Sequence, residues 1–201
     1  MIKRTFDASL AAAGLVLSSP LWFLIPLAIR IEDGGPVFFP QDRVGRGGRV
    51  FKALKFRSMR PNAEALTGPV QATEHDPRVT RVGRLLRGTA LDELPQLVNI
   101  LRGDMSFVGP RPLRPGEVDV RGDGRMIRLD EIPGYSERHG VRPGLTGLAQ
   151  IYAPRDISRT SKFRLDRLYI ARCGFWLDVR LIVLSFWITA RGSWEVRGRK
   201  V

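Results

Sequence analysis

Apolar residues concentrate first in one uninterrupted block. No residue from Ala8 to Ile29 is charged. As a helix the block would be roughly 33 Å long, enough to cross the hydrocarbon core of a bilayer. Ser18-Ser19-Pro20 interrupts it, and Pro26 follows. A proline inside a helix removes one backbone hydrogen bond and bends the rod, and serine hydroxyls can satisfy the freed carbonyls in lipid. Lys3 and Arg4 precede the block and Arg30 follows it. Positive residues mark the cytoplasmic side, so both ends are expected there. The pattern predicts a helix–break–helix over 1–32 that enters one leaflet and returns, broken at Ser19 and Pro20. A straight span is the alternative. A signal peptide is not favoured, because neither a cleavage site nor a disulfide-bearing domain follows.

Beyond Gly34-Gly-Pro36 the apolar runs shorten. Val37–Phe39 and Val50–Phe56 read as strands around the glycine-rich turn Arg43–Arg49, a β-hairpin. No Gly-Lys-Ser/Thr follows those glycines, so they are not a P-loop. Residues 61–77 read as a polar surface loop with a short helix near 62–66. Thr80–Arg87 reads as a short helix with Val82, Leu85 and Leu86 inward, and Arg78, Arg81, Arg84 and Arg87 recur every third residue. Such a row is either a solvated face or an anion-binding one.

Leu94, Leu97, Val98 and Leu101 stand at i, i+3, i+4 and i+7, one face of a helix. Pro95 fits only a first turn, which puts Asp92 near the N-cap and Glu93 just inside, with Gly103 as the stop. Residues 104–115 read as strand or loop, 117–131 as charged helix or loop, and 142–150 as a turn-rich loop before a short strand. From Ser161 the chain is helical again. A second apolar stretch, 175–190, is cut by Asp178 and Arg180 and is too short to span. With Trp176 and Trp187 it suits a helix lying in the membrane interface, with a buried core helix as the alternative. The fold class expected is α+β, mainly helical: a re-entrant membrane helix, a small hairpin, and amphipathic interfacial helices around a cytoplasmic domain over 33–201.

Charge sharpens this picture. The 201-residue chain carries 33 Lys and Arg against 20 Asp and Glu, a net charge of +13. Such a balance favours anionic partners: nucleic acid, phosphorylated substrates or an anionic membrane face. Cys173 is the single cysteine, so a disulfide framework and a thiolate metal site are both excluded. His75 and His139 are too far apart in sequence for a zinc motif.

The chemistry gathers at Asp92-Glu93. An aspartate at an N-cap stabilises a helix by about 1 kcal/mol without any catalytic role. Here, however, arginines arrive from both sides, through Arg87 and through Pro110-Arg111-Pro112. Flanking prolines pin the backbone around Arg111, which lowers the entropy cost of gripping a phosphate. Lys55 and Arg57, in Lys55-Phe-Arg-Ser-Met59, are further cations of this kind.

Taken in order, Ile2–Asp7, Ser19-Pro20, Gly35–Phe39, Lys55–Met59, Asp76-Pro-Arg78, Leu91–Gln96, Gly109–Pro112 and Arg142–Gly147 resemble the bacterial sugar transferases, small monotopic phosphoglycosyl transferases of polyprenyl-linked glycan assembly. The resemblance covers nearly the whole chain. It implies transfer of a sugar-1-phosphate from a UDP-sugar to a polyprenyl (undecaprenyl) phosphate, with UMP released. This would be the first membrane step of glycoconjugate or polysaccharide assembly. By motif it makes Asp92 the nucleophile of a covalent phosphosugar intermediate and a Mg²⁺ contact, with Glu93 assisting. Arg87 and Arg111 would hold phosphates, with Lys55 and Arg57 as weaker candidates. The implied location is the cytoplasmic face of a bacterial inner membrane. Pro40, Asp42 and Ala90 depart from the usual pattern, as does Asp33-Gly34, and the chain reads as a minimal version of the enzyme.

From charge alone a rival reading is a non-catalytic, membrane-tethered basic module that binds nucleic acid or anionic lipid. No nucleic-acid motif is recognised, and the cations gather beside an acidic pair rather than an aromatic platform, so nucleic acid is not expected as a partner. The sugar, the pathway and whether the chain forms a homo-oligomer are not legible in the residues.

Overall fold

A computed structural model of the chain describes residues 2–61, 63, 76–120, 126–154, 157–192 and 194. The apolar block folds as two helices, α1 (Ile2–Leu17) and α2 (Leu21–Asp33), bent by 61° across Ser18-Ser19-Pro20. Ser18 Oγ accepts a hydrogen bond from Trp22 Nε1 at 3.2 Å and thereby bridges the bend. Among the described residues no single helix is long and apolar enough to cross a membrane, although this bent pair is by length and composition. Pro26 lies inside α2 without ending it.

Polar residues at the far ends of the pair tie it to the rest of the chain. Lys3 pairs with Asp178, and Arg4 donates to the carbonyls of Ile100 and Leu101. Asp7 is buried and accepts from Ser106 Oγ at 2.8 Å and Phe107 N at 3.2 Å. At the end of α2, Glu32 accepts the backbone N–H groups of Arg81 and Val82 at 2.6 and 3.0 Å. It caps the N-terminus of α3 (Arg81–Gly88), where the helix dipole favours a carboxylate.

The hairpin forms, with a shifted first strand. β1 is Gln41–Val44 and pairs antiparallel with β2, Val50–Ala53. Val37–Phe39 is held only by one bridge, Phe38 to Phe56, and by flanking backbone bonds to Lys55 and Arg57. The turn uses left-handed glycines, Gly47 at φ 68° and Gly48 at φ 78°, as glycine allows. In α3 Leu86 is buried and Val82 half-buried, but Leu85 is exposed, contrary to the sequence expectation. The helix expected near 62–66 falls almost wholly outside the described residues.

α4 (Gln96–Arg102) ends at Gly103 in the left-handed region, φ 92°, as expected. β3 (Ser106–Val108) runs parallel to β6 (Gly144–Thr146), so that part of the predicted 142–150 loop is itself the strand. β4 (Val118–Val120) and β5 (Met126–Arg128) make a second antiparallel pair where a charged helix or loop was expected. Short helices α5 (Tyr135–His139) and α6 (Leu148–Tyr152) precede α7 (Arg159–Arg172) and α8 (Phe175–Ala190).

The main core joins α1, α4, β3, α6, α7 and α8 through Ala11, Leu97, Ile100, Met105, Ile151, Tyr169, Leu181 and Ile188. The class is therefore α+β and mainly helical. Large apolar side chains stay outside this core on the two predicted lipid-facing segments: Val16, Leu17, Phe23 and Ile31 on α1 and α2, and Trp176, Val183, Phe186 and Trp187 on α8.

Candidate active site

The acidic pair does not begin α4. Leu91–Glu93 forms a separate 3₁₀ turn, entered through Ala90 at φ 55° and ψ 18°. A left-handed conformation is uncommon for a residue with a Cβ and costs roughly 1–2 kcal/mol. Pro95 then occupies the N-cap of α4, without a side-chain cap. The N-cap expected at Asp92 is thus three residues late. The apolar face moves with it: Leu97 and Ile100 are buried, while Leu94, Val98 and Leu101 are only half-buried. The physical reason is Ala90, which turns the chain and detaches the acids from the helix they precede.

Around this turn the chain brings distant cations together. The segment after β2 passes beside it, and Phe56 N donates to the Asp92 carbonyl at 2.8 Å. Lys55 Nζ reaches Glu93 Oε1 at 2.5 Å, and Arg111 Nη2 reaches the same oxygen at 2.8 Å. Arg87, at the end of α3, acts electrostatically on Asp92. Among the described residues the Asp92 carboxylate, buried beside a half-buried Glu93, accepts no side-chain hydrogen bond.

The two acids consequently differ. Burial, with the Glu93 charge, pushes Asp92 up to about 6, against the opposing pull of Lys55, Arg87 and Arg111. Burial acts in the same direction on Glu93, but Arg111 and Lys55 outweigh it and hold that carboxyl well below the usual range. Burial also lowers Lys55, partly offset by Glu93 and Asp92. Arg43 is lowered to about 10 by burial and by the charges of Arg111 and Arg114. One acid is thus fixed as an ion between two cations. The other sits desolvated at the edge of a cationic wall, a state suited to a nucleophile or a metal contact.

The loop carrying Arg111 is built by close backbone approach. Gly109 N donates to Thr146 O, and Gly144 N to Pro110 O, both at 2.9 Å. A Cβ on Gly144 would lie 2.0 Å from Gly109 N, so only glycine fits there. Buried Arg138 donates to the Arg111 carbonyl at 2.6 Å and to Asp166 at 3.1 Å, and lies over the Phe163 ring. Two motifs far apart in sequence, Gly109–Pro112 and Arg142–Gly147, thereby form one support under Arg111.

Asp92, Glu93, Lys55, Arg87 and Arg111 converge, whereas other predicted cations do not. Arg57 is buried and pairs with Asp33 at the end of α2. Its Nη1 abuts Gly35, where a Cβ would fall 1.9 Å away. Arg78 pairs with Asp76, and Arg81 and Arg84 face solvent. The every-third-residue row is therefore not one face of the site. Ser19 and Pro20 lie at the exposed bend, far along the chain from the acids. Sequence reasoning passed over Arg43, Arg138 and Asn99, although a lone Asn among the apolar residues of α4 is a signal of buried hydrogen bonding.

Among the described residues no three His, Cys, Asp or Glu cluster as a metal cage. With Glu93 engaged by two cations, Asp92 is the carboxylate left for a metal. One carboxylate plus substrate phosphates is a frequent way to hold Mg²⁺, so the residues fit that ion.

Comparison with known proteins agrees with the motifs. A model of the bacterial sugar transferase family matches residues 1–192. An undecaprenyl-phosphate glucose phosphotransferase of Komagataeibacter xylinus is 42% identical over 188 residues, 91% of this chain and 35% of that protein. The exopolysaccharide production protein PSS of Rhizobium leguminosarum bv. phaseoli is 38% identical over 187 residues, 90% of this chain and 92% of that one. A UDP-glucose:undecaprenyl-phosphate glucose-1-phosphate transferase of Caulobacter vibrioides is 42% identical over 188 residues, covering 90% of this chain and 67% of its own. The chain thus spans about a third of the first relative and nearly all of the second.

Proposed function

This chain belongs to the bacterial sugar transferase family, and from that premise we propose that it is a phosphoglycosyl transferase, moving a sugar-1-phosphate from a UDP-sugar to undecaprenyl or a related polyprenyl phosphate. The observation that carries this reading is the contrast within the acidic pair: Glu93 clamped by Lys55 and Arg111, and Asp92 buried beside it without a hydrogen-bond partner among the described residues.

In the first half-reaction an Asp92 carboxylate oxygen attacks the phosphorus that bears the sugar. The bond to the bridging oxygen breaks, and UMP departs with that oxygen. An acyl phosphosugar is left on Asp92. In the second, an oxygen of the polyprenyl phosphate attacks the same phosphorus, and the Asp92 carboxylate is released. Covalent catalysis lets a soluble donor and a lipid acceptor use one site in turn. Lys55, Arg87 and Arg111 stabilise charge on the phosphoryl oxygens, because such transfers depend on positioning and electrostatics. Glu93 holds Lys55 and Arg111 in place rather than moving a proton, since its own carboxyl is kept ionised. Asp92, together with the donor's diphosphate, would hold a Mg²⁺, which when bound would supply further neutralisation of charge.

The bent α1–α2 pair and the apolar face of α8 would seat the enzyme as a monotopic protein on the cytoplasmic face of an inner membrane, where a prenyl carrier presents its phosphate. UDP-sugar, polyprenyl phosphate and Mg²⁺ together should yield UMP and a lipid diphosphate sugar. Mass spectrometry of enzyme quenched with UDP-sugar alone should find a phosphosugar on Asp92, and Asp92→Asn should abolish both signals. Full turnover without an adduct would remove the covalent step, and turnover by Asp92→Asn would remove the nucleophile.

A further inference from the structure

Asn99 is a buried polar residue on α4, about 1% exposed, and it has no place in the chemistry above. Its side-chain amide is fully occupied. Oδ1 accepts from Leu54 N at 2.9 Å, and Nδ2 donates to Lys52 O at 2.8 Å and to Asp104 Oδ2 at 3.2 Å. The carbonyl of Asn99 accepts the backbone N–H groups of Gly103 and Asp104, both at 3.0 Å, and so closes the end of α4. One residue therefore grips the backbone of another segment on both sides of Ala53.

The gripped segment continues straight into the site. Lys55 follows Leu54, with its Nζ on Glu93, and Phe56 N holds the Asp92 carbonyl. The acids lie just before α4, and Asn99 lies within it. The 3₁₀ turn and the Lys55 segment are thus registered against the same short helix at two points. Slippage of the segment would swing Lys55 off the pair, since an extended chain advances about 3.3 Å per residue.

We propose that Asn99 is a positioning residue, which sets Lys55 against Glu93 and Asp92 by clamping the backbone of Lys52 and Leu54. The requirement is specific to an amide. Asp at this position could accept from Leu54 N but could not donate to Lys52 O, and its charge would face Asp104. Leu matches the volume but satisfies neither backbone group. Unmet buried partners loosen the segment that bears Lys55.

The inference rests on the transferase reading only for its activity arm, so the first test is independent of turnover. Lys55 is half-buried and ion-paired, so acylation of its amine by a small reagent, mapped by mass spectrometry, should be slow in the full-length protein. Asn99→Leu and Asn99→Asp should each speed labelling of Lys55 by about tenfold or more, as expected when a protected group opens more often. Met105→Ala creates a cavity in the adjacent core and serves as a matched destabilised control, with Lys55 labelling unchanged at equal loss of thermal midpoint.

The second test is a double-mutant cycle on UMP release. Asn99→Leu should lower kcat/KM by about tenfold, while adding it to Lys55→Met should cost less than about threefold more, since coupled residues are not additive. Equal labelling of Lys55 in Asn99→Leu and in the control, or additive losses in the cycle, would reduce Asn99 to a structural residue. If the wild-type enzyme releases no UMP, the reaction is misassigned, while the labelling result still decides the role of Asn99.

Discussion

At the scale of single residues, the division of labour between Asp92 and Glu93 comes from their surroundings. Both are carboxylates in one 3₁₀ turn, yet two cations meet on Glu93 Oε1 and, among the described residues, none is hydrogen-bonded to Asp92. Burial lifts Asp92 from 3.8 to about 6. A carboxyl raised in the folded state binds its proton more tightly there than in the unfolded chain. Its contribution to stability is therefore full below the ordinary value and is lost as pH rises through 3.8 to about 6. At pH 7.5 without Mg²⁺ the ionised group is a net strain. Asn cannot ionise, so Asp92→Asn should raise the unfolding midpoint at pH 7.5 and lose that advantage near pH 4. A relief of about 1 kcal/mol corresponds to roughly 2–4 °C in a chain of this size. Scanning calorimetry at both pH values checks it. A variant less stable than wild type at pH 7.5 would mean that Asp92 is not strained by burial. The acids and their flanking arginines were legible in the sequence because charge and motif order suffice to mark them. The 3₁₀ turn was not, because it depends on a left-handed Ala90 that residue type disfavours.

At the scale of elements, the outcome divides between local and long-range pairing. The break at Ser18–Pro20, the glycine turn of the hairpin and the stop at Gly103 are set by residues within a few positions of one another, and all appear where the pattern put them. β6 departs from the expectation because its partner lies elsewhere, Ser106 opposite Gly144 being a long-range contact, whereas β4 and β5 pair locally but are only three residues each in a charged stretch with little apolar signal. α1 illustrates the same point. Its apolar pattern reads only as a membrane segment, yet Asp7 is buried and holds Ser106 Oγ and Phe107 N. Asp7→Ala would leave both donors unsatisfied in a closed core. Each such group costs about 1–3 kcal/mol, so the variant should lose several degrees of thermal midpoint or fail to accumulate. Asp7→Asn keeps an acceptor and should lose less. Thermal unfolding in detergent distinguishes the two, and an unchanged midpoint in Asp7→Ala would show that α1 is not integral to the core.

At the scale of the whole molecule, two properties compete to explain attachment to a membrane. One is the net charge of +13, and the other is the exposed apolar side chains of α1, α2 and α8. They respond oppositely to salt. Attraction between a basic surface and anionic lipid is screened beyond about 3 Å at 1 M ionic strength, whereas burial of apolar surface is strengthened or unaffected by salt. Several cations are also already spent within the protein: Lys55 and Arg111 on Glu93, Arg57 on Asp33, Arg138 on Asp166 and Arg159 on Glu117. The acids in these pairs are already subtracted in the net charge of +13, so the pairing leaves that excess unchanged. Full-length protein incorporated into vesicles of neutral lipid should stay with them through a 1 M salt wash, and brominated acyl chains should quench its tryptophan fluorescence. Trp176 and Trp187 are the most exposed described tryptophans, so Trp176→Ser with Trp187→Ser should remove most of the quenching. Release by salt would instead assign the attachment to charge. Retention with quenching that survives both substitutions would place the anchor at the α1–α2 bend, where Trp22 lies, with α8 facing a protein partner rather than lipid.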